Sequence, residues 1–210
     1  MKKLPLFEEV SCIEHAFLNA FDSKTLENPI LMNQVHSADV LYIDEKPQEP
    51  VTADALVTNV KGLKLTIKTA DCGPVLLVDE KKEIIAAIHA GWTGAFQGII
   101  EQTVLKMISL GADVKNIRAA IGPHIQLESF EADEKMKALF PITEHHFFKS
   151  TQIEGKYHFD FNNYLIHRLR RIGINKIASC EEDTYQDKDY LSYRRDPKNP
   201  ARQYSYIALK

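Results

Sequence analysis

Cysteine is scarce in this sequence: there are three residues, Cys12, Cys72 and Cys180, and no two of them are close together. An odd number of cysteines at long spacings disfavours a disulfide framework. The absence of a Cys-x-x-Cys pair likewise disfavours a zinc knuckle. Any metal in this protein therefore needs ligands that the fold collects from distant segments.

Long apolar runs are also missing, since no uninterrupted stretch approaches the roughly 18 residues that predict a membrane helix. The first ten residues, MKKLPLFEEV, contain two lysines, but glutamates arrive before any apolar stretch of signal-peptide length. We therefore expect a cytoplasmic protein that does not bind or span a membrane.

The sequence has no excess of positive charge, because its formal net charge is −3. Nucleic-acid binders usually carry a basic field, so we expect no nucleic-acid partner. The content of 44% hydrophobic and 26% charged residues is that of an ordinary folded protein. A length of 210 residues predicts one domain over residues 1–210, as a monomer or a small homo-oligomer.

Several segments do carry a clear secondary-structure pattern. Two short apolar runs, PVLLVD and IIAAIHA, are joined by the polar EKKE and predict a buried hairpin. The stretch GAFQGIIEQTVLKMISLGA predicts a helix that begins near Thr93 and stops at Gly111. FNNYLIHRLRRIG predicts an amphipathic helix capped by Asp160. Because strands and helices are interspersed without regular βαβ spacing, we predict a mixed α+β sandwich.

Three side chains with metal-binding chemistry stand near the ends of predicted strands: His36 in NQVHSADV, Cys72 in TADCGPVLL and His89 in AIHAGWTG. Two imidazoles and a thiolate suit zinc, and three protein ligands with an open fourth position are typical of catalytic sites. Such a metal would acidify a bound water or polarise a substrate oxygen. The spacings match no local metal motif, so ordinary core roles for these residues stay open.

The same atoms allow a second interpretation without a metal. Cys72 can act as a nucleophile with His89 as its base and Asp71 or another acid as the group that orients the base. Asp71 can equally be a turn residue that binds neighbouring amides.

A second group of residues is suited to binding a substrate. The cluster of Arg194, Arg195 and Arg202 can grip a phosphate or a carboxylate through forked hydrogen bonds. His124 follows Gly-Pro at a strand end, and Trp92, the single tryptophan, can form the wall of a pocket. A solvated basic loop, a turn histidine and a core tryptophan are the alternatives.

Six segments occur together in one order: QVHSADV, ADALVT, TADCGPVLLVD, IHAGWTG, IGPHI and SYRRD with a later ARQ. Over residues 30–210 the chain thereby resembles the laccase-domain family, whose members are often labelled polyphenol oxidase and are better described as multifunctional purine nucleoside enzymes. The resemblance implies a mixed α/β sandwich similar to the catalytic domain of a bacterial deamidating toxin. It also implies that His36, Cys72 and His89 match the family's zinc ligands, with copper reported for some members.

The resemblance further implies a function: phosphorolysis of adenosine, inosine and 5'-methylthioadenosine to base plus ribose 1-phosphate, and deamination of adenosine to inosine. Purine nucleosides and phosphate are the expected partners. The expected catalytic residues are Asp71, Cys72 and His89, and the expected substrate and phosphate ligands are Arg194, Arg195, Arg202, His124 and Trp92. Three alternatives stay open: a copper-dependent polyphenol oxidase, a Cys–His amidohydrolase, and a non-catalytic paralogue that binds zinc or a purine.

The chain departs from the family pattern in three places. An arginine- and glycine-rich N-terminal loop is contracted, within residues 1–30, to AFLNAFDSKTLENP, which contains neither residue type. The usual HAGWRG is HAGWTG, with Thr93, and the usual GPC is GPH, with His124. Losing two cationic groups weakens phosphate binding in a partly dry pocket. We therefore expect phosphorolysis to suffer more than deamination, which uses water.

Overall fold

Fourteen strands and five α-helices make up the fold in a computed structural model that describes residues 1–210. The strands are β1 (Ile13–Phe17), β2 (Met32–Asn33), β3 (Val40–Tyr42), β4 (Val51–Thr52), β5 (Ala55–Thr58), β6 (Leu65–Thr69), β7 (Gly73–Asp79), β8 (Ile84–Ala90), β9 (Arg118–Ile121), β10 (Glu131–Asp133), β11 (Phe148–Ser150), β12 (Lys156–Phe159), β13 (Lys176–Ser179) and β14 (Gln203–Leu209). The helices are α1 (Pro5–Glu8), α2 (Trp92–Gln97), α3 (Ile99–Ser109), α4 (Glu134–Leu139) and α5 (Phe161–Arg171). Because the two element types alternate irregularly, the predicted mixed α+β class is confirmed.

The strands form one large sheet and three small ones. The large sheet has the order β13-β9-β7-β8-β5-β3, with parallel pairing only at its two ends. A second sheet, β1-β14-β6, is antiparallel throughout, as is the small sheet β10-β12-β11. Strands β2 and β4 form a short parallel pair.

Strands β7 and β8 lie at the centre, and every residue in both is buried. On one face Val75 and Leu77 pack with residues of α3 and α5 in the larger core. On the other face Leu76 and Val78 pack against the sheet β1-β14-β6 in a second core. A strand covered on both faces needs apolar side chains at successive positions, which explains the uninterrupted runs in the sequence.

The predicted hairpin is confirmed, and its register determines what lies at its open end. Gly73 pairs with Ala90 and Pro74 pairs with His89. Cys72, one residue before β7, is therefore brought beside the end of β8. Two residues that are distant in sequence become neighbours through one antiparallel pairing.

The predicted helix from Thr93 to Gly111 is wrong in one respect, because two helices, α2 and α3, occupy this stretch. Gly98 separates them with a φ of 98°, and its N–H donates to the carbonyl of Ala95. Glycine adopts this left-handed conformation readily and ends helices with it. Apolar residues keep a helical spacing on both sides of Gly98, so periodicity alone does not reveal the break.

Helix α5 begins as predicted, because the Asp160 carboxylate accepts a hydrogen bond from the Asn163 N–H at 3.3 Å. It buries Phe161, Leu165 and Leu169 on one face. None of the helices combines the length and the apolar composition that crossing a membrane requires.

The contact between Gly122 and Phe17 gives a test of the packing between the sheets. A Cβ at position 122 would lie 2.1 Å from Cδ1 of Phe17, whose side chain is fully buried. We expect Gly122→Ala to lower the free energy of unfolding by about 1–3 kcal/mol through overpacking. Urea denaturation measures the loss. Adding Phe17→Leu should restore part of it, whereas fully additive effects would contradict the proposed clash.

Candidate metal centre

Three side chains with metal-binding atoms converge at the open end of the β7–β8 hairpin. His36, Cys72 and His89 place one ligand atom each within 4.8 Å of one another. Sγ of Cys72 lies 3.7 Å from Nε2 of His36, and the two imidazole rings are 4.8 Å apart between centroids. Tetrahedral zinc, with its usual bond lengths to sulfur and nitrogen, would hold such a pair about 3.6 Å apart. The spacing of these two donors therefore fits one zinc ion.

His36 is placed by an unusual turn between β2 and β3. Its φ is 60°, in the left-handed region that non-glycine residues seldom occupy. The N–H groups of Val35, His36 and Ser37 all donate to the carboxylate of Asp54, at 3.1, 3.1 and 2.7 Å. Backbone strain of this kind persists only where the surroundings enforce it, and here the carboxylate does so.

His89 is buried at the end of β8 and is bonded to the same carboxylate. Its Nδ1 lies 2.7 Å from Oδ1 of Asp54, so Nε2 is the nitrogen left to face Cys72. Burial lowers the pKa of His89, but the Cys72 thiolate and the Asp54 carboxylate outweigh burial and raise it. Burial likewise raises the pKa of Asp54, whereas its hydrogen bonds from His89 and Ser37 lower it to a greater extent.

Cys72 has the electrostatic character of a metal ligand. Burial raises the pKa of its thiol, but the charge on His89 and the hydrogen bond with His36 reverse this effect and lower the pKa to about 6. A thiol with this pKa is largely thiolate at neutral pH, which is the form that binds metals. Two anionic groups, this thiolate and the Asp54 carboxylate, then surround one buried imidazole. The donor chemistry fits a cation such as zinc, which binds in place of the imidazole proton.

Gly91 makes room for the cluster. A Cβ at this position would lie 2.6 Å from Cδ2 of His36 and 3.4 Å from Sγ of Cys72. The backbone of Gly91 itself is extended, with φ −71° and ψ 159°, so another residue could adopt it. Glycine is therefore required here for the close approach of the two ligands and not for the backbone conformation.

A cavity of about 710 Å³ opens directly over the three ligands, within the usual size range of small-molecule sites. Four aromatic residues line it: Trp92, Phe130, Phe161 and Tyr193. Trp92 lies in the wall, as the sequence predicts. Flat apolar walls with one polar end suit a ligand that has an aromatic ring and a polar group.

Three cationic side chains line the cavity, and two of them are already engaged. Arg202 donates from Nη1 to the carbonyls of Asn199 and Ala201, at 2.9 and 2.7 Å. Arg194 donates from Nη2 to the carbonyl of Glu131 at 3.0 Å. Lys68 is half-buried in the wall, and its ammonium forms no ion pair or hydrogen bond within the chain. Lys68 is therefore the cavity cation that is most available to an anionic ligand.

Two residues predicted to bind substrate, Arg195 and His124, lie outside the wall of this cavity. The Arg195 guanidinium donates to the carbonyls of Thr184 and Tyr185, at 2.8 and 2.7 Å, and so stabilises a loop. His124 is fully buried, where its Nδ1 donates to the carbonyl of Gly122 at 2.8 Å. Burial lowers the pKa of His124. Both side chains are thus bonded to backbone carbonyls of the chain, His124 in the interior and Arg195 at the surface.

Asp71 lines the cavity beside Cys72, but both of its carboxylate oxygens are occupied. Oδ1 accepts from the Thr184 hydroxyl at 2.7 Å, and Oδ2 accepts from the Ser192 hydroxyl at 3.0 Å and the Arg194 N–H at 2.7 Å. The φ of Asp71 is 83°, a second left-handed turn next to a ligand. Asp71 thus anchors a distant segment beside the candidate metal centre, with both carboxylate oxygens bonded within the chain.

Sequence reasoning missed two residues of the site, Asp54 and Lys68. Both stood in segments that carried other predictions, ADALVT and LTIKTADC. The available signals were that Asp54 directly precedes an apolar strand and that Lys68 lies near the end of another. Neither signal indicates which distant residue Asp54 or Lys68 contacts in the fold.

The fold and the site define a class: mixed α+β proteins with a His–Cys–His cluster at the base of an aromatic cavity. The family model described as multi-copper polyphenol oxidoreductase laccase matches residues 8–210, and the chain belongs to this family. The laccase-domain membership predicted from the sequence motifs is confirmed.

Similar proteins have been named for nucleoside chemistry. Purine nucleoside phosphorylase RP494 of Rickettsia prowazekii is 39% identical over 170 residues, which cover 79% of this chain and 70% of the relative. Purine nucleoside phosphorylase YfiH of Escherichia coli is 34% identical over 184 residues, covering 86% of this chain and 74% of the relative. The chain is therefore matched over most of its length by somewhat longer proteins.

Solved structures share the fold. Neisseria meningitidis protein NMB0706 superposes with a TM-score of 0.80 at 29% identity, covering 87% of this chain and 75% of that chain. YfiH of Bacillus licheniformis superposes with a TM-score of 0.80 at 26% identity, covering 91% and 79%.

The close approach at Gly91 predicts a specific effect on metal binding. We expect Gly91→Ala to weaken zinc affinity by at least about tenfold, the size of effect seen when the support of a ligand is disturbed. His36 is exposed and can swing away, so the unfolding temperature of the metal-free protein should change little. Competition with a chromophoric chelator measures the affinity. An unchanged zinc affinity would show that the cluster does not bind the metal in this arrangement.

Proposed function

We propose that this chain is a zinc-dependent enzyme that acts on purine nucleosides, by deamination of adenosine and by phosphorolysis to base and ribose 1-phosphate. The observation that carries the proposal is the His36–Cys72–His89 cluster at the base of a cavity with aromatic walls. The names of the related proteins, purine nucleoside phosphorylases, support the substrate class.

Zinc is favoured over copper by the donor set. One group of three metal-binding residues is present in the chain, with two nitrogens and one sulfur and an open side toward the cavity. Three protein ligands and an open position are typical of catalytic zinc. Multi-copper oxidation needs several ions, and the residues of this chain form a single cluster.

Different side chains around the cluster are suited to different parts of the bound substrates. The partly exposed rings of Trp92 and Tyr193 can contact a purine, and the buried Phe130 and Phe161 close the apolar wall behind it. Bound zinc would supply Lewis acidity at the base of the cavity. Lys68, with its available ammonium, and Arg202 provide positive charge for phosphate oxygens.

Deamination and phosphorolysis place different demands on this cavity. Phosphorolysis needs charge for an anion, and the chain has Thr93 and a contracted N-terminal segment where the family pattern has arginines. Deamination uses water and requires no anion site. We therefore infer that deamination is the more robust of the two activities, and that phosphorolysis depends on Lys68.

A second candidate function is favoured by one specific observation. Cys72, His89 and Asp54 form a chain of contacts in the order thiol, imidazole, carboxylate, which is the arrangement of a nucleophile, its base and an orienting group. A cysteine amidohydrolase would use this arrangement without a metal.

The decisive experiment follows adenosine, inosine and 5'-methylthioadenosine by chromatography, with and without phosphate, in metal-analysed protein. We expect about one zinc per chain, because the structure has one cluster, and turnover that disappears in Cys72→Ala. A chelator should abolish the activity and added zinc should restore it. Turnover that survives the chelator but not alkylation of Cys72 would favour the amidohydrolase, and zinc binding without nucleoside turnover would contradict the proposal.

Lys68 allows the two reactions to be separated. We expect Lys68→Met to raise the KM for phosphate by about 10- to 100-fold, the loss of one hydrogen bond to a charged group. Deamination of adenosine should be nearly unaffected. Lys64→Met is the matched control, because Lys64 pairs with Glu14 outside the cavity. An unchanged KM for phosphate in Lys68→Met would remove Lys68 from the proposed phosphate site.

A further inference from the structure

We propose that Asp54 is the positioning residue of the metal centre, because its one buried carboxylate holds both histidine ligands at once. The inference rests on the proposed metal binding by His36, Cys72 and His89. It does not depend on which reaction the enzyme catalyses.

Asp54 is fully buried, and five donors converge on its two oxygens. Oδ1 accepts from Nδ1 of His89 at 2.7 Å and from the N–H of His36 at 3.1 Å. Oδ2 accepts from the N–H and hydroxyl of Ser37, at 2.7 and 2.9 Å, and from the N–H of Val35 at 3.1 Å. The three backbone N–H groups can only donate, so each requires an acceptor oxygen, and an ionised carboxylate supplies acceptors to all five groups at once.

The bond to Nδ1 determines which nitrogen of His89 can bind a metal. With the proton on Nδ1, the lone pair of Nε2 faces Cys72. The opposite tautomer would direct an N–H at the metal position. Asp54 also accepts the backbone N–H of His89 at 2.7 Å through its own carbonyl, so the side chain and the strand are held together. A carboxylate in contact with a ligating histidine acts in this way in many metal sites.

The bonds to the backbone hold the other histidine. Without an acceptor, three successive N–H groups lose their partner and the left-handed turn at His36 loses its support. The far side of this loop is fixed separately, since the Gln34 side chain donates to the carbonyl of Lys68 at 2.7 Å and accepts its N–H at 2.8 Å. Asp54 therefore controls the inner side of the loop and, through the same oxygen, His89.

Asp54→Asn tests the role with almost no change in shape. The new amide group must face either His89 or the N–H groups of Val35 and Ser37. If the amide group faces His89, it donates to Nδ1 and forces the proton onto Nε2, the nitrogen that should bind the metal. If it faces Val35 and Ser37, an N–H donor is opposed to two backbone N–H donors. We expect zinc affinity to fall by about 10- to 100-fold or more. With Co²⁺ in place of zinc, the visible spectrum should also change, because the ligand arrangement around the metal changes.

Asp79 provides a matched control for the general cost of removing a buried carboxylate. It is also fully buried and also accepts backbone N–H groups, from Lys81, Lys82 and Asp113. It lies at the opposite end of β7, about 20 Å along the strand from Gly73 at the usual rise per residue. Asp79→Asn should destabilise the full-length chain and leave zinc affinity and the Co²⁺ spectrum as in the wild type.

The outcomes distinguish this inference from the proposed function. A zinc affinity of Asp54→Asn equal to that of Asp79→Asn, with wild-type protein binding zinc tightly, would overturn the role of Asp54 alone. Failure of the wild type to bind zinc would overturn the metal centre and this inference with it. If Asp54→Asn does not fold, ¹⁵N-histidine NMR of the zinc-loaded wild type decides: a proton on Nδ1 of His89 supports the role, and metal bound through Nδ1 overturns it.

Discussion

The antiparallel register of β7 and β8 is the constraint on which the rest of the site depends. Both strands are buried on both faces, with Leu76 in one core and Leu77 in the other. A slip of one residue would exchange the two sets of side chains between cores of different shape, so the register is strongly specified. That register places Cys72 beside His89. The candidate metal centre is therefore positioned by a part of the fold that is buried on both faces.

Two aspartates, Asp54 and Asp71, have comparable structural roles at this candidate centre. Asp54 and Asp71 each gather backbone and hydroxyl donors from a segment that is distant in sequence. Each contact lies beside a left-handed non-glycine residue, His36 in one case and Asp71 itself in the other. Such conformations cost on the order of 1–3 kcal/mol each, and the carboxylate hydrogen bonds offset that cost. Strain in the loops is thus the consequence of directing two ligands at one point.

Most of the positive charge in the cavity wall is already engaged within the chain. Arg194 and Arg202 face it but direct their guanidinium groups to nearby carbonyls, and Arg195 is occupied entirely with the loop. This leaves Lys68 as the cation without a partner in the wall. Of the aromatic residues in the wall, Trp92 and Tyr193 keep part of their surface exposed, whereas Phe130 and Phe161 are buried against other rings. The cavity therefore combines an apolar wall with few free cations.

Local patterns determined much of what is now observed. The β7–β8 hairpin, the capped helix α5 and the mixed α+β class were all predictable, because periodicity and capping act over a few residues. The order of the motifs also identified the family. The sequence pattern did not predict the break between α2 and α3, because the apolar spacing continues across Gly98. Only the left-handed backbone of Gly98 interrupts the helix.

Only the tertiary structure determined which residues the charged side chains contact. Asp54 and Asp71 stand in similar short motifs, and the sequence offered Asp71 or another acid as the partner of His89. The pairing of β5 with β8, which sets Ala55 opposite Ile88, brings Asp54 to His89 instead. Strand pairing over such distances depends on burial across the whole sheet, and a local sequence pattern contains no information about it. The same holds for Lys68 and Arg195, since the packing of distant loops decides which cation faces the cavity.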